Sequence, residues 1–338
     1  MPIGGAAAVV AVRSESQSTR GSPMTDTQTV ATEPTGSTPD TGLSDNVQRA
    51  EVNGIEIAYE TFGDRNDPAM LLVMGLGTQM LAWRDEMMEA LADAGHFVIR
   101  YDNRDVGLST HIDAPVPSLA DMVLKRGAPY TIADMAADGL GLLDALDIER
   151  FHLVGASMGG MIAQTMALAD QRRVRTLTLI MTSTGSRRVG RPTPSVMRRL
   201  ASQTEPADRE AAIEATIETY RVIGSPAHLD EDHIRDLAGR AYDRAHNPAG
   251  RQRQLAAIMA QPDRTAALRN LEVPTLVVHG LDDPLVTPSG GLSLARTIPG
   301  ATFIGHSGMG HDISHTLWRT ITDEILRLAA TDNPDASR

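Results

Sequence analysis

The pattern of apolar and polar positions changes along the chain. Two short segments, 47–52 and 55–62, flank Asn53 and Gly54, and this dipeptide favours the two-residue turn of a β-hairpin. The apolar runs that follow are continuous, which is typical of strands buried on both faces of a parallel sheet. They predict strands over 69–74, 97–101, 151–154, 174–181, 275–279 and 301–304.

Segments with the period of a helix separate these strands. The predicted helices lie over 83–94, 132–146, 161–169, 291–297 and 313–329. From about residue 184 to residue 263 strands are absent, and helices with charged faces are predicted over 195–200, 208–223, 231–247 and 249–259. A hairpin followed by alternating strands and helices predicts an α/β fold, with a mostly parallel sheet and helices on both faces. We therefore expect a core formed by residues 46–183 and 264–332, and a helical cap formed by residues 184–263.

Residues 1–45 differ from the rest of the chain. They are rich in Ser, Thr, Pro, Gly and Ala and lack hydrophobic periodicity, which predicts a disordered tail. The apolar run 6–12 is short for a signal peptide and no positive residue precedes it, and we expect a cytoplasmic protein. Met24 is an alternative to Met1 as the natural start.

A glycine-rich turn with a serine at its apex connects the strand at 151–154 to the helix at 161–169. In the motif Gly-Ala-Ser-Met-Gly, Ser157 is expected in a strained backbone geometry, with glycines on both sides that let strand and helix approach. Met158 is expected to start the helix, so its N–H has no intrahelical acceptor and is a candidate donor to an oxyanion. Because such turns also occur as simple packing elements, the interpretation depends on finding partners for Ser157.

A serine hydroxyl becomes a good nucleophile when a base removes its proton and an anion holds that base in one tautomer. In parallel sheets such groups follow the carboxyl ends of strands. After the strand at 301–304 come His306 and, past two further glycines, His311. We favour His311 as the base, because His306 lies too near the strand to reach a distant serine. His311 and His315 have the spacing of two metal ligands on a helix, but a third ligand is missing.

The acidic partner is expected after the strand at 275–279, where Asp282 and Asp283 are adjacent. One of them is a candidate acceptor for the histidine, and the other is a candidate turn or helix-cap residue. The strand end at 181–183 has no carboxylate. The serine, acid and histidine thus follow one another in the order expected of one particular fold.

Composition excludes several classes of function. The net charge of −12 argues against nucleic-acid binding, and no apolar run approaches the ~18 residues that suggest a membrane span. The chain has no cysteine, which excludes disulfides, thiolate metal sites and a thiol nucleophile. The sole lysine, Lys125, is not in a P-loop, and it leaves almost no candidate for a Schiff base. We expect neither a metal nor any other cofactor.

These motifs together resemble the α/β-hydrolase superfamily over residues 47–330. The resemblance rests on the serine turn, the Gly-Leu-Gly loop at 75–77, the segments 102–109 and 279–284, and the Gly-Met-Gly-His loop that ends at His311. Within the superfamily the chain is most similar to serine esterases of the aclacinomycin methylesterase type.

The resemblance implies roles for individual residues. It favours Asp283 over Asp282 as the acid that orients His311, and it assigns the two oxyanion-hole N–H groups to Leu76 and Met158. It also implies that segment 102–109 supports the fold, and that residues 184–263 form a roof over the substrate pocket.

The expected function is hydrolysis of a small-molecule carboxylic ester through an acyl-enzyme, with Ser157 as nucleophile. The same residues are compatible with a lipase, a thioesterase, a carbon–carbon bond hydrolase or a cofactor-free haloperoxidase or perhydrolase. A non-catalytic ligand-binding relative is the remaining alternative. The sequence does not define the oligomeric state, and a homodimer is compatible with it.

Overall fold

The computed structural model describes residues 10–13, 46–201 and 205–332. The tail expected over residues 1–45 therefore lies mostly outside the described residues. Its described part, β1 (Val10–Arg13), is a strand parallel to the last strand of the sheet, where the composition predicted disorder. Main-chain pairing with an existing strand does not depend on side-chain alternation, so the missing periodicity did not reveal this strand.

Within the described residues, nine strands form one sheet. The eight that follow β1 are β2 (Gln48–Val52), β3 (Ile55–Phe62), β4 (Ala69–Val73), β5 (Phe97–Tyr101), β6 (Phe151–Ala156), β7 (Val174–Ile180), β8 (Thr275–Gly280) and β9 (Thr302–His306). Their spatial order is β1-β9-β8-β7-β6-β4-β5-β3-β2. The pairs β2–β3 and β3–β5 are antiparallel and the others are parallel, which confirms the predicted mixed sheet. Asn53 and Gly54 both have positive φ, as the predicted hairpin turn requires.

Eleven α-helices accompany the sheet in the described part of the chain. They are α1 (Asp85–Asp93), α2 (Leu119–Val123), α3 (Ile132–Ala145), α4 (Met158–Ala169), α5 (Pro194–Ala201), α6 (Arg209–Ile223), α7 (Glu231–Arg244), α8 (Pro248–Ala260), α9 (Thr265–Leu268), α10 (Ser289–Thr297) and α11 (Trp318–Ala329). The helices α2 and α9 are short and were not predicted. Helix α4 begins at Met158, as expected, whereas α11 begins later than expected, at Trp318.

The sheet is buried on both faces, as the continuous apolar runs predicted. In β4, Leu71 and Val73 belong to the apolar cluster that includes residues of α3, α4 and α10. Met70 and Leu72 point to the opposite face, into a cluster with residues of α1 and α11. This alternation follows from the two-residue repeat of a strand, and it confirms that helices cover both faces.

We call residues 184–263 the cap. Its helices α6 and α7 pack against each other through Ile213, Ile217 and Ile234. Two ion pairs tie the cap to the loop that follows β5. Arg244 of α7 lies 2.5 Å from the Asp102 carboxylate, and Arg253 of α8 lies 2.7 Å from the Asp105 carboxylate.

All four of these charged side chains are nearly inaccessible to water.

No helix in the described residues has both the length and the apolar character needed to cross a membrane.

Candidate active site

Ser157 lies at the point where β6 ends and α4 begins. Its φ of 54° and ψ of −118° place it in a backbone region that non-glycine residues rarely occupy. The turn is tight on both sides of the serine. A Cβ at position 159 would lie 2.0 Å from the Val73 carbonyl oxygen, and one at position 155 would lie 2.4 Å from the Gly159 carbonyl oxygen. Both positions therefore require glycine.

Three side chains form one hydrogen-bonded chain above the carboxyl ends of the strands. His311 Nε2 lies 2.9 Å from Ser157 Oγ, and His311 Nδ1 lies 2.7 Å from Asp283 Oδ2. Asp283 and His311 are both buried, whereas Ser157 is partly accessible. The arrangement can move a proton from the serine hydroxyl to the imidazole while the carboxylate holds the ring in place.

Asp282 and Asp283, in the loop that follows β8, accept hydrogen bonds from different partners. The carboxylate of Asp283 accepts the N–H groups of Leu285 and Val286 on Oδ1, both at 2.9 Å, and this fixes its other oxygen towards His311. Asp282 instead accepts the N–H of Gly308 at 2.7 Å. Asp282 thereby holds the loop that carries His311.

A buried histidine, His279, lies close to Asp283 but is bound elsewhere. Its Nε2 donates to the Val286 carbonyl oxygen at 2.7 Å and lies 3.6 Å from Asp283 Oδ2. Burial lowers the pKa of His279 and outweighs the opposing effect of Asp283. The lowered pKa favours the neutral ring. Asp283 thus hydrogen-bonds to His311 and not to His279.

The other two histidines considered from sequence lie elsewhere. His306 is part of β9, and its Nε2 lies 3.2 Å from the buried carboxylate of Glu324. His315 is half-exposed, with Nδ1 3.7 Å from Asp230. Neither ring hydrogen-bonds with Ser157.

The cap helps to position His311. The N–H of His311 donates to the Ile223 carbonyl oxygen at 2.7 Å, and the N–H of Gly310 donates to Ser225 Oγ at 3.0 Å. Ser225 in turn donates to Asp312 at 2.6 Å, and burial raises the pKa of that carboxyl. Ile223 is the last residue of α6, and Ser225 lies two residues further along the chain. The sequence carries no local sign of these contacts, because they join positions more than 80 residues apart.

The loop between β4 and α1 passes directly beside Ser157. A Cβ at Gly75 would lie 3.2 Å from the serine Cβ. Leu76 is the next residue, and its N–H has no acceptor among the described residues. Met158 is the first residue of α4, so its N–H also lies in a turn that lacks intrahelical acceptors. These are the two N–H groups expected from sequence.

A cap side chain fixes this loop. Gln254 of α8, which is fully buried, accepts the N–H of Gly77 at 2.7 Å and donates to the Arg104 carbonyl oxygen at 2.8 Å. On the other side of the loop, Asn103 donates to the Met74 carbonyl oxygen at 3.0 Å. Sequence analysis did not identify Gln254, since a glutamine on a helix has no distinctive pattern.

Comparison with known proteins identifies the family of the chain. Residues 68–316 match the alpha/beta hydrolase fold family, and the chain belongs to that family. Rhodomycin D methylesterase DauP of Streptomyces sp. (strain C5) is 32% identical over 276 residues, which are 75% of this chain and 87% of that protein. Rhodomycin D methylesterase DnrP of Streptomyces peucetius is 30% identical over 273 residues, with the same two coverages.

Among solved structures, the enol-lactonase from Burkholderia xenovorans LB400 superposes with a TM-score of 0.64 at 27% identity. The match covers 84% of this chain and 100% of the lactonase. The predicted superfamily and fold are confirmed, and so is the predicted enzyme class, a carboxylic ester hydrolase.

Proposed function

We propose that the protein is a serine esterase that works through an acyl-enzyme intermediate. The observation that carries the proposal is the continuous hydrogen-bonded chain from Asp283 through His311 to Ser157. Ser157 attacks the ester carbonyl, and His311 takes the hydroxyl proton and returns it to the leaving alcohol. Asp283 keeps the proton-bearing Nδ1 of His311 in place and stabilises the imidazolium that forms.

The developing oxyanion needs donors in a site that is already arranged before the reaction. We assign this role to the N–H groups of Leu76 and Met158, which flank Ser157. One such donor contributes about 3 kcal/mol in related acyl-transfer sites. Water then attacks the acyl carbonyl while His311 takes its proton. His311 returns that proton to Ser157 Oγ as the bond from Oγ to the acyl carbon breaks, which releases the acid and restores the free serine.

The relatives support a small-molecule ester as substrate. Both methylesterase relatives match most of this chain, so a methyl ester or another ester of a small alcohol is our proposed substrate class. The cap, which contacts the His311 loop and the Gly77 loop, would select the acyl group.

The proposal is tested by initial rates on p-nitrophenyl esters with acyl chains from C2 to C16, with Ser157→Ala as the matched variant. We expect turnover of the short chains and a loss of at least a thousandfold in kcat for Ser157→Ala, since the nucleophile is gone. A preference for long chains would instead indicate a lipase.

Labelling with a fluorophosphonate distinguishes the remaining outcomes. If the wild type hydrolyses none of the esters but Ser157 is labelled, the triad is functional and the substrate class is wrong. Absence of both turnover and labelling would contradict the enzymatic proposal and leave a ligand-binding relative.

A further inference from the structure

A cationic side chain of the cap lies next to the proposed oxyanion loop. Arg251 is on α8, one turn before Gln254, and its side chain covers Gly77. A Cβ at Gly77 would lie 2.8 Å from Arg251 Cγ and 2.9 Å from Cδ. Because Gly77 is two residues from Gly75, which touches Ser157, the Arg251 stem is on the order of 10 Å from the nucleophile.

Arg251 has no counter-ion in the described part of the chain. Its guanidinium makes no hydrogen bond or ion pair to the described residues, whereas the neighbouring Arg244 and Arg253 each bind a buried carboxylate. Loss of hydration lowers the pKa of Arg251, and no nearby carboxylate opposes this shift. The unpaired cation is therefore unfavourable for the free protein, and an incoming anion would relieve that cost.

The position of Arg251 relative to the proposed site follows from its stem. The stem packs on Gly77, which immediately follows Leu76 in the loop that passes beside Ser157, while the side chain as a whole stays exposed to water. A charged group bound by Arg251 would therefore lie on the side of the molecule where Ser157 lies.

We propose that Arg251 is an anion subsite that binds a carboxylate group on the ester substrate. A guanidinium presents two parallel N–H groups that match the two oxygens of a carboxylate, which gives both affinity and orientation. A local cation also offsets the repulsion that a chain of net charge −12 exerts on an anionic substrate. This inference rests on the proposed esterase function and narrows its substrate class to esters that also carry a carboxylate.

The test compares two esters that differ in one charge, mono-p-nitrophenyl adipate and its methyl-capped analogue. The measured quantity is the ratio of kcat/KM for the charged ester to that for the neutral ester, after subtraction of the uncatalysed rates. We expect Arg251→Gln to lower this ratio at least tenfold, mainly through KM. Added NaCl should lower the wild-type ratio, because salt screens the attraction.

Two further variants complete the comparison. Arg251→Lys keeps the charge but loses the paired N–H groups, so its ratio should lie between those of the wild type and Arg251→Gln. Arg172→Gln makes the same chemical change at a side chain that is 91% exposed. Arg172 precedes β7, at the amino ends of the parallel strands, whereas Ser157 lies at their carboxyl ends. The ratio for Arg172→Gln should equal that of the wild type. An unchanged ratio in a folded Arg251→Gln protein would overturn the subsite.

Failure of the proposed function is recognised separately. If the wild type hydrolyses neither ester, calorimetry measures binding of the charged ester to Ser157→Ala and to Ser157→Ala with Arg251→Gln. At least tenfold weaker binding in the double variant would support the anion subsite without the esterase. Equal binding, or no binding to either protein, would overturn it.

Discussion

Gln254 connects the cap to the loop of the proposed oxyanion hole through one hydrogen bond and to the loop that follows β5 through a second. Its side-chain oxygen accepts the Gly77 N–H, and its side-chain nitrogen donates to the Arg104 carbonyl oxygen. Gly77 immediately follows Leu76, so this contact restrains the peptide whose N–H we assign to the oxyanion. Gln254 is therefore a candidate positioning residue, because it acts on the loop and not on the substrate.

Gln254→Met keeps the length of the side chain and removes both hydrogen bonds. We predict that it lowers kcat by about tenfold to a hundredfold, because the Leu76 peptide is no longer held in place for the oxyanion. Each factor of ten corresponds to about 1.4 kcal/mol of lost transition-state stabilisation. KM should change little. Affinity for an alkyl boronic acid, whose tetrahedral adduct needs the oxyanion hole, should fall in parallel with kcat/KM. Gln252→Met, an exposed glutamine on the same helix, is the control. Equal loss of substrate and boronate affinity would indicate only a general structural role.

At the scale of single residues, the sequence predicted the candidate site to the extent that strand ends could be located. Each candidate follows an apolar run that predicts a strand: Ser157, His311 and the Asp282–Asp283 pair. The chemistry of the side chains then indicated which could serve as nucleophile, base and acid. The choice between the two aspartates required a family resemblance. The structure explains why the residues alone did not decide between them. Main-chain N–H groups of Leu285 and Val286 orient Asp283, and main-chain contacts cannot be read from the residue types.

The cap helices are held to the core by a small number of buried charges. Asp105 accepts the Arg253 guanidinium at 2.8 and 2.7 Å and also the Tyr130 hydroxyl at 2.7 Å. These hydrogen bonds hold the pKa of Asp105 below its usual value despite burial. Since α8 also carries Gln254 and Arg251, this ion pair sets the position of both side chains relative to the core.

We predict that Arg253→Met lowers the free energy of unfolding by about 3–5 kcal/mol, because it leaves Asp105 buried without its cation. Adding Asp105→Asn should recover part of the loss, since the uncompensated charge is removed. Urea unfolding of the two single variants and the double variant gives the coupling energy.

The exposed ion pair of Arg209 with Asp243 is the matched control for that cycle. It has the same two-point geometry, at 2.7 and 2.8 Å, but both side chains are about half-exposed. Arg209→Met should cost clearly less than Arg253→Met because solvent screens the exposed pair. A similar cost for the buried and exposed pairs would contradict the importance that we give to the buried one.

At the scale of elements, prediction succeeded where local pattern and tertiary structure agree. The hairpin strand β3 (Ile55–Phe62) and strand β5 (Phe97–Tyr101) have their predicted bounds. Helix α4 begins at Met158, as predicted, although Gly159 and Gly160 weaken helix propensity. The close approach of Gly159 to β4 requires glycine at that position. Residues 313–317 precede α11 in the structure, next to the His311 loop that the cap holds. No local pattern encodes a contact of that range.

The molecule as a whole has a second group of buried titratable side chains, away from Ser157. His152 is near the start of β6, at the opposite end of the strand from the serine, and it is 3% exposed. Its Nδ1 lies 2.8 Å from the Thr176 hydroxyl, and its ring meets His96 edge-on at 5.3 Å. Burial, with smaller contributions from His96 and Arg175, lowers the pKa of His152 to about 4.

This lowered pKa predicts that acid destabilises the fold. Between the ordinary value of 6.5 and about 4, the unfolded chain binds a proton at His152 that the folded chain does not bind. The stability is therefore fully present above pH 6.5 and is lost as the pH falls towards 4. For this one group the loss is about 2 kcal/mol at pH 5 and rises to about 3 kcal/mol below pH 4.

We expect His152→Asn, which keeps a polar partner for Thr176, to flatten this part of the pH dependence. The measurement is the free energy of unfolding in urea at pH 7.5 and pH 5 for the wild type and the variant. The wild type should lose about 2 kcal/mol more than the variant over this interval. His315→Asn, at an exposed histidine, should retain the full wild-type loss. If His152→Asn and the wild type lose the same free energy of unfolding between pH 7.5 and pH 5, the acid sensitivity arises from other groups. That result would contradict the role that we give to the neutral His152 ring.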